Sequence, residues 1–260
     1  MIFIDWGTTH ARAWCGEERR DGPGMRAVKD WPATFRELTR GWEGDALICG
    51  MAGARGGWVE VPYVPCPTGV PTPVEVIPGV RIVPGLRCDH DVMRGEETQL
   101  FGAGADGLYC LPGTHTKWAR MEGGRIQSFR TVVTGELFDA VVNHTLMGAL
   151  MDGDSGQGFD AGLDAADAPG GLQHHIFQVR SRVLDGSLRA EDARSWLSGL
   201  LIGHELNDLD MLMGLLDAPV TVIGSPALCD KYVRAMKSRG IPTHTLQGPE
   251  ATLAGLRRMA

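Results

Sequence analysis

Near its start the chain reads Ile4-Asp5-Trp6-Gly7-Thr8-Thr9-His10-Ala11-Arg12-Ala13-Trp14. An apolar run delivers a carboxylate, turns on Gly-Thr-Thr, and resumes as a strand-like run in which Arg12 and Trp14 share a face. A second passage repeats the layout: Leu111-Pro112 closes a strand, Gly113-Thr114-His115-Thr116 turns, and a new strand carries Trp118. In the first half, strands are predicted over 1–6, 10–16 and 24–31, a helix over 33–41 and a strand over 46–49. In the second, Gly123-Gly124 turns the chain into a strand with Ile126, Ser128 and Arg130. A helix is then predicted over 135–151, where Leu137, Val141, Leu146 and Leu150 recur close to helical spacing. Strand, Gly-Thr turn, strand, turn, strand, helix therefore occurs twice. That order points to a duplicated α/β unit, although identity between the copies is slight.

The composition agrees with such a fold. The 260 residues suit one large domain or two modest ones, and 43% hydrophobic with 22% charged residues is ordinary for a globular protein. The 36 glycines sit at turns between apolar runs rather than in a low-complexity tract. A formal net charge of −7 argues against a nucleic-acid binder, whose footprint is a basic face. No apolar run reaches the length of about 18 residues needed for a membrane span, and the first residues lack the pattern of a signal peptide. The expectation is a cytoplasmic protein with neither membrane nor nucleic-acid partner. Cys15, Cys49, Cys66, Cys88, Cys110 and Cys229 are scattered without a C-x-x-C pair, so they read as small buried hydrophobes rather than a zinc site or disulfide framework. The acidic group around Asp89, His90 and Asp91 lacks compact metal-ligand spacing, and His174-His175 reads as a loop pair.

From Gly50 to Gly85 the chain is rich in glycine and proline, with turn signals and little helical period. Long irregular segments inside compact domains are usually functional. A helix is predicted from near Gly95. Farther on, Val220-Thr221-Val222-Ile223 reads as a buried strand that runs into Gly224-Ser225 and a helix starting around Pro226, with a short strand over 243–246 and a helix over 248–259 after it. Three places, 7–9, 113–116 and 224–225, thus join a strand end to glycine and a hydroxyl residue. Such ends present unpaired N–H groups, glycine permits close approach and threonine adds a hydroxyl, which suits the oxygens of a polyphosphate. The chemistry suggested is phosphoryl transfer. Asp5 then has two readings, a holder of Mg²⁺, which uses one or two carboxylates plus phosphate oxygens, or a turn cap. Glu96 and Glu97 likewise read either as a catalytic base or as first-turn acids that favour the helix dipole.

Six segments in order, "DWGTT" (5–9), "ICGMAGARGGWVEVPYVPCP" (48–67), "DVMRGEETQLFGA" (91–103), "LPGTHTKW" (111–118), "VVTGELFDAV" (132–141) and "LSGLLIGHEL" (197–206), resemble the 2-dehydro-3-deoxygalactonokinases. These belong to the superfamily of sugar kinases, actin and heat-shock chaperone ATPases. The resemblance implies two ribonuclease-H-like α/β domains with mixed sheets flanked by helices, an active site in the cleft between them, and transfer of the ATP γ-phosphoryl group to the 6-hydroxyl of 2-dehydro-3-deoxy-D-galactonate. The domains are expected at 1–98, with the first phosphate motif and the sugar-acid loop, and at 99–260, with the second phosphate and adenosine motifs. The chain is shorter than typical members around 15–30.

Carried over residue by residue, the resemblance assigns Asp5, Gly7, Thr8 and Thr9 to the first phosphate motif and its metal. It assigns Gly113, Thr114, His115 and Thr116 to the second, and Gly224, Ser225 and Ala227 to the adenosine motif. The base falls on Glu96 or Glu97. Arg55 suits bidentate binding of the substrate carboxylate, Trp58 the apolar face of the carbon chain, and Arg94 is a second donor. Lys117 points either to the phosphates or to solvent. The expected ligands are ATP, Mg²⁺ and a small ketodeoxy sugar acid, with a homodimer left open. The competing readings are a kinase of another hexonate or hexose and a chaperone-like conformational ATPase.

Overall fold

A computed structural model of the protein describes residues 1–214 and 219–260. Its first strand, β1 (Ile2–Trp6), buries Ile2, Ile4 and Trp6 on one face, and β2 (His10–Cys15) buries Ala11 and Ala13 with them. Strand alternation puts Asp5 on the other face. The two strands pair antiparallel with Asp5 opposite Arg12. The third strand, β3 (Glu18–Pro23), lies earlier than the predicted 24–31. Residues 24–26 instead donate their amides to the carbonyls of the Gly-Thr-Thr turn, so they cannot extend a ladder. α1 (Trp31–Leu38) begins sooner than predicted, because Asp30 accepts the Ala33 N–H at 2.9 Å and Pro32 occupies the first turn. Its Trp31 ring lies 4.9 Å from that of Trp6.

β4 (Ala46–Gly50) pairs parallel with β1 and sets Cys49 beside Asp5. The glycine- and proline-rich passage that follows is more ordered than its composition suggests. It contains β5 (Val64–Pro65), β6 (Val74–Ile77) and β7 (Val80–Ile82), and leads to β8 (Leu86–Cys88), β9 (Asp91–Met93) and α2 (Glu96–Ala103). One sheet has the order β3-β2-β1-β4-β7-β6, and β5-β8-β9 form a small separate sheet.

The second half opens with β10 (Gly107–Leu111), β11 (Thr116–Glu122), β12 (Arg125–Val132) and α3 (Thr134–His144). α3 ends well short of the predicted 151, since Thr145 turns extended and its hydroxyl donates back to the Val141 carbonyl at 2.6 Å. α4 (Phe159–Ala165), α5 (Leu172–Leu184), α6 (Ala193–Asn207) and α7 (Leu209–Met213) follow. His174 and His175 lie on α5 rather than in a loop, and buried His175 places Nδ1 2.9 Å from His204 Nε2. β13 (Val220–Gly224), α8 (Pro226–Ser238), β14 (Thr243–Gln247) and α9 (Gly248–Met259) complete the order. The sheet runs β12-β11-β10-β13-β14, with β10 and β13 parallel.

The chain divides into two compact units. The first comprises Met1–Gly107, Ala119–Phe129 and Leu246–Ala260, the second Leu108–Trp118 and Arg130–Thr245. In the first, α9 packs on β1 and β4 and crosses α2 with almost no spacer. A Cβ on Gly102 would lie 1.9 Å from the Ala251 carbonyl oxygen, and one on Gly255 would lie 1.9 Å from that of Thr98. In the second, α6 is the central helix, buried on most sides by α3, α4, α5 and α8. Among the described residues no helix is long and apolar enough to cross a membrane.

Candidate active site

In the first unit the turn after β1 is tied chiefly by backbone hydrogen bonds. Gly7 donates to the His10 carbonyl at 2.9 Å, while the carbonyls of Gly7, Thr8 and Thr9 accept from the amides of Met25, Arg26 and Gly24 at 3.0, 3.1 and 3.1 Å. The oxygens that would repel a phosphate are thereby engaged, and Thr8 and Thr9 stand exposed at the surface. Gly24 has to be glycine for this strap, because a Cβ there would fall 2.3 Å from the Thr9 carbonyl carbon.

Asp5 does not cap this turn. Its Oδ2 accepts from Arg12 Nη1 at 3.2 Å and its Oδ1 lies 3.9 Å from Cys49 Sγ. Burial raises the Asp5 pKa, and the Arg12 charge only partly offsets it. The Cys49 thiol is pushed well above its ordinary value, first by burial and then by the charges of Asp5 and Glu97. Strand end and helix start thus meet through Cys49.

At the start of α2 the two glutamates part company. Glu96 is half-buried and accepts the Arg94 N–H at 3.0 Å. Glu97 is fully enclosed, accepting the Gly95 N–H at 2.7 Å and the Thr98 hydroxyl at 3.1 Å. Burial, followed by the neighbouring Glu96 charge, raises the Glu97 pKa to about 8. For Glu97 desolvation outweighs the favour that the helix dipole gives a first-turn acid. Near neutral pH its carboxyl is mostly protonated.

The loop after β4 coils on itself: Ala54 donates to Met51, Gly57 to Ala54, Trp58 to Ala52 and Val61 to Gly53. Arg55 stands exposed at its tip without a hydrogen-bond or ion-pair partner among the described residues. Arg94 is turned inward, where Nη2 donates to the Val61 carbonyl at 2.6 Å and the guanidinium lies 4.4 Å from the Tyr63 ring centroid. Its Nε and Nη1 are buried without a partner. Trp58 is half-buried against Phe35, with ring centroids 5.2 Å apart.

In the second unit the turn after β10 is held mainly by side chains. Thr114 and His115 are exposed, and His115 Nε2 lies 2.6 Å from Glu136 Oε2. The start of α3 presses on the turn: Glu136 donates its amide to the Thr114 carbonyl at 2.9 Å, and a Cβ on Gly135 would fall 2.3 Å from the Gly113 oxygen. Thr116 is buried, with its hydroxyl 2.9 Å from Tyr232 OH, so its side chain faces the interior. Lys117 is only 5% exposed, and alternation does not carry it into solvent.

Gly224 ends β13, Ser225 precedes α8 and Ala227 sits exposed in the first helical turn, where Pro226 leaves no amide to satisfy. A Cβ on Gly224 would touch the Pro112 side chain at 3.4 Å, so the ends of β10 and β13 are neighbours. Beside them opens a cavity of about 130 Å³ lined by Gly113, Gly135, Phe138, Ser198, Leu228 and Lys231, among others. Lys231 Nζ donates to Ser198 Oγ at 3.3 Å. Sequence reading did not single out Phe138, Ser198 or Lys231. Their signal was present but faint: Ala227, Leu228, Lys231 and Tyr232 recur at helical spacing, and Phe138 and Ser198 lie inside quoted segments.

The fold is an α/β fold of actin-like type. The activator of 2-hydroxyisocaproyl-CoA dehydratase from Clostridium difficile, solved with bound ADPNP, superposes over 99% of this chain and 93% of its own at TM-score 0.58, with 11% identity. The sequence profile of the 2-keto-3-deoxy-galactonokinase family matches residues 5–259, and the chain belongs to that family. It is 35% identical to the 2-dehydro-3-deoxygalactonokinase of Escherichia coli (strain K12), over 100% of this chain and 97% of that protein. Identity to a probable 2-dehydro-3-deoxygalactonokinase of Rhizobium meliloti (strain 1021) is 36%, over 99% and 95%. A Sinorhizobium meliloti crystal structure provisionally given the same name superposes at TM-score 0.89 with 33% identity, covering 100% of this chain and 97% of that one. The chain is therefore an enzyme, a kinase with ATP as co-substrate.

Proposed function

We propose that the chain transfers the γ-phosphoryl group of ATP to the 6-hydroxyl of 2-dehydro-3-deoxy-D-galactonate, giving the 6-phosphate in D-galactonate catabolism. The observation that carries this reading is the family match over residues 5–259, which includes every residue assigned a role below. Glu96 is the general base. It combines access with a place at the start of α2, whereas enclosed Glu97 lacks access. Glu97 supports the helix start, and its proton keeps two adjacent carboxyls from both being charged.

The exposed Gly7-Thr8-Thr9 and Gly113-Thr114-His115 turns receive the phosphates, with Thr116 bracing the second turn from inside. Gly224, Ser225 and Ala227, with the neighbouring cavity, receive the adenosine. Mg²⁺ enters with ATP as part of the substrate, and Asp5 holds it through its carboxylate or through bound water. Unpartnered Arg55 takes the sugar-acid carboxylate, since its guanidinium has all its donors available. Arg94 and Trp58 act on that loop from within, because both are already packed against it. Phosphoryl transfer passes through a loose transition state, so positioning and charge stabilisation carry most of the rate. Use of ATP and six cysteines outside any disulfide suit a cytoplasmic enzyme.

The test is ADP release with Mg-ATP, comparing 2-dehydro-3-deoxy-D-galactonate, its gluconate epimer, D-galactonate and glucose. Turnover with the ketodeoxy acid that loses about tenfold or more in apparent affinity in Arg55→Ala is the expected result. Preference for D-galactonate or glucose would assign another sugar kinase activity, and ADP release indifferent to every sugar would assign a conformational ATPase.

A further inference from the structure

Glu205 on α6 is only 3% exposed, yet its carboxylate gathers donors from three other elements. Trp118 Nε1 of β11 donates to Oε1 at 2.7 Å, Tyr232 OH of α8 donates to Oε2 at 2.8 Å, and the Thr134 hydroxyl at the start of α3 donates to Oε2 as well. Tyr232 OH lies 2.9 Å from Thr116 Oγ1. An indole N–H can only donate; when Glu205 is ionised its oxygens can only accept, so Tyr232 then donates to Glu205 and Thr116 to Tyr232. Burial raises the Glu205 pKa while the three donors oppose it. Removing the carboxylate would leave three buried donors without their acceptor, so a purely structural role would show as lost stability alone.

What the network shares is its place. Tyr232 passes the contact on to Thr116, which ends the second turn; Trp118 follows on the same face of β11, and Thr134 precedes the Gly135 that packs against the Gly113 carbonyl. We infer that Glu205 is a positioning residue that fixes, from beneath, the Gly113–Thr116 turn and the start of α3 in the geometry that receives nucleotide phosphates. The inference rests on reading that turn as a phosphate site.

The experiment compares full-length wild type with Glu205→Leu, Glu205→Gln and Tyr232→Phe. It measures KM for Mg-ATP and for the sugar acid, kcat, the Kd of ADP by calorimetry, and melting. Glu205→Leu is expected to raise KM for Mg-ATP and the Kd of ADP about tenfold or more, with KM for the sugar acid within about twofold of wild type. Glu205→Gln keeps one acceptor for Trp118 and falls between the two. Tyr232→Phe severs only the Thr116 branch, and about a threefold rise is expected. Lower melting with unchanged nucleotide affinity would reduce Glu205 to a structural residue and overturn the inference. Should Glu205→Leu fail to fold, Tyr232→Phe decides by the same split. Wild type that binds no ADP would instead sink the reading of the turn itself, an outcome distinct from wild type that binds and variants that bind equally well.

Discussion

The two Gly-Thr turns occupy corresponding places in sheets of the same order, β3-β2-β1-β4 and β12-β11-β10-β13, yet they are held by different means. The first is tied by a strap of three backbone amides from residues 24–26, and the second by Glu136, a helix start and the buried Glu205 carboxylate. A backbone tie depends on the path of the chain, so most side-chain changes around it leave it standing. A side-chain tie depends on residue identity, and it can be undone from a position far away in sequence. A duplicated layout can thus preserve a geometry while exchanging the forces that maintain it.

The largest expected effect does not distinguish the turns but sets the scale for them. Glu96→Gln should lower kcat by about 10²–10⁴ with melting unchanged, and an unaltered kcat would remove Glu96 from the chemistry. Next come Gly24→Ala and Gly135→Ala, each of which places a Cβ 2.3 Å from turn backbone. Each should cost about 1–3 kcal/mol of stability, as overpacking does, and raise KM for Mg-ATP. If only one of the pair changes KM, the turns are unequal partners in nucleotide binding.

The contrast extends to the buried carboxyls. Glu205 meets three side-chain donors, whereas Glu97 has two backbone amides, one hydroxyl and a charged neighbour, and its folded pKa of about 8 stands above the ordinary 4.5. Folded chains hold a proton there that unfolded chains have released. The stability contributed by protonated Glu97 is therefore full below about pH 4.5 and is lost as pH rises to about 8. Denaturant titrations across that window should show a decline on the order of a few kcal/mol, flattened in Glu97→Gln. A parallel decline in the variant would rule out Glu97 as its source.

The smallest effect is expected at Arg12, whose charge opposes the burial of Asp5. Arg12→Met should raise the Asp5 pKa further and move the acid limb of kcat/KM for Mg-ATP to higher pH. An unmoved limb would show that ionised Asp5 is not required.

Much of this was legible in the sequence. Apolar runs placed β1, β10 and β13 and alternation placed β2, while Gly-Thr turns marked both strand ends, because these signals are local. The third strand was misplaced because residues 24–26 bond to the turn rather than to a ladder, a tertiary preference with no period. Glu97 looked like the equal of Glu96 because one position along a helix separates exposure from enclosure, and a pair of first-turn acids does not say which face is covered. Glu205 was quoted within a segment but given no role, since its partners are 27, 71 and 87 residues away.

The α2–α9 crossing bears on how the protein is made. Helix α2, which carries the proposed base, is braced across bonds spanning 153 and 157 residues, Gln99 to Thr252 and Arg258 to Phe101. As the chain leaves the ribosome at about 5–20 residues per second, the earliest-synthesised unit waits for nearly the whole message before its own brace arrives. Between those moments the Gly102 face of α2 is bare, and the half-made first unit lacks the contact that braces its proposed base.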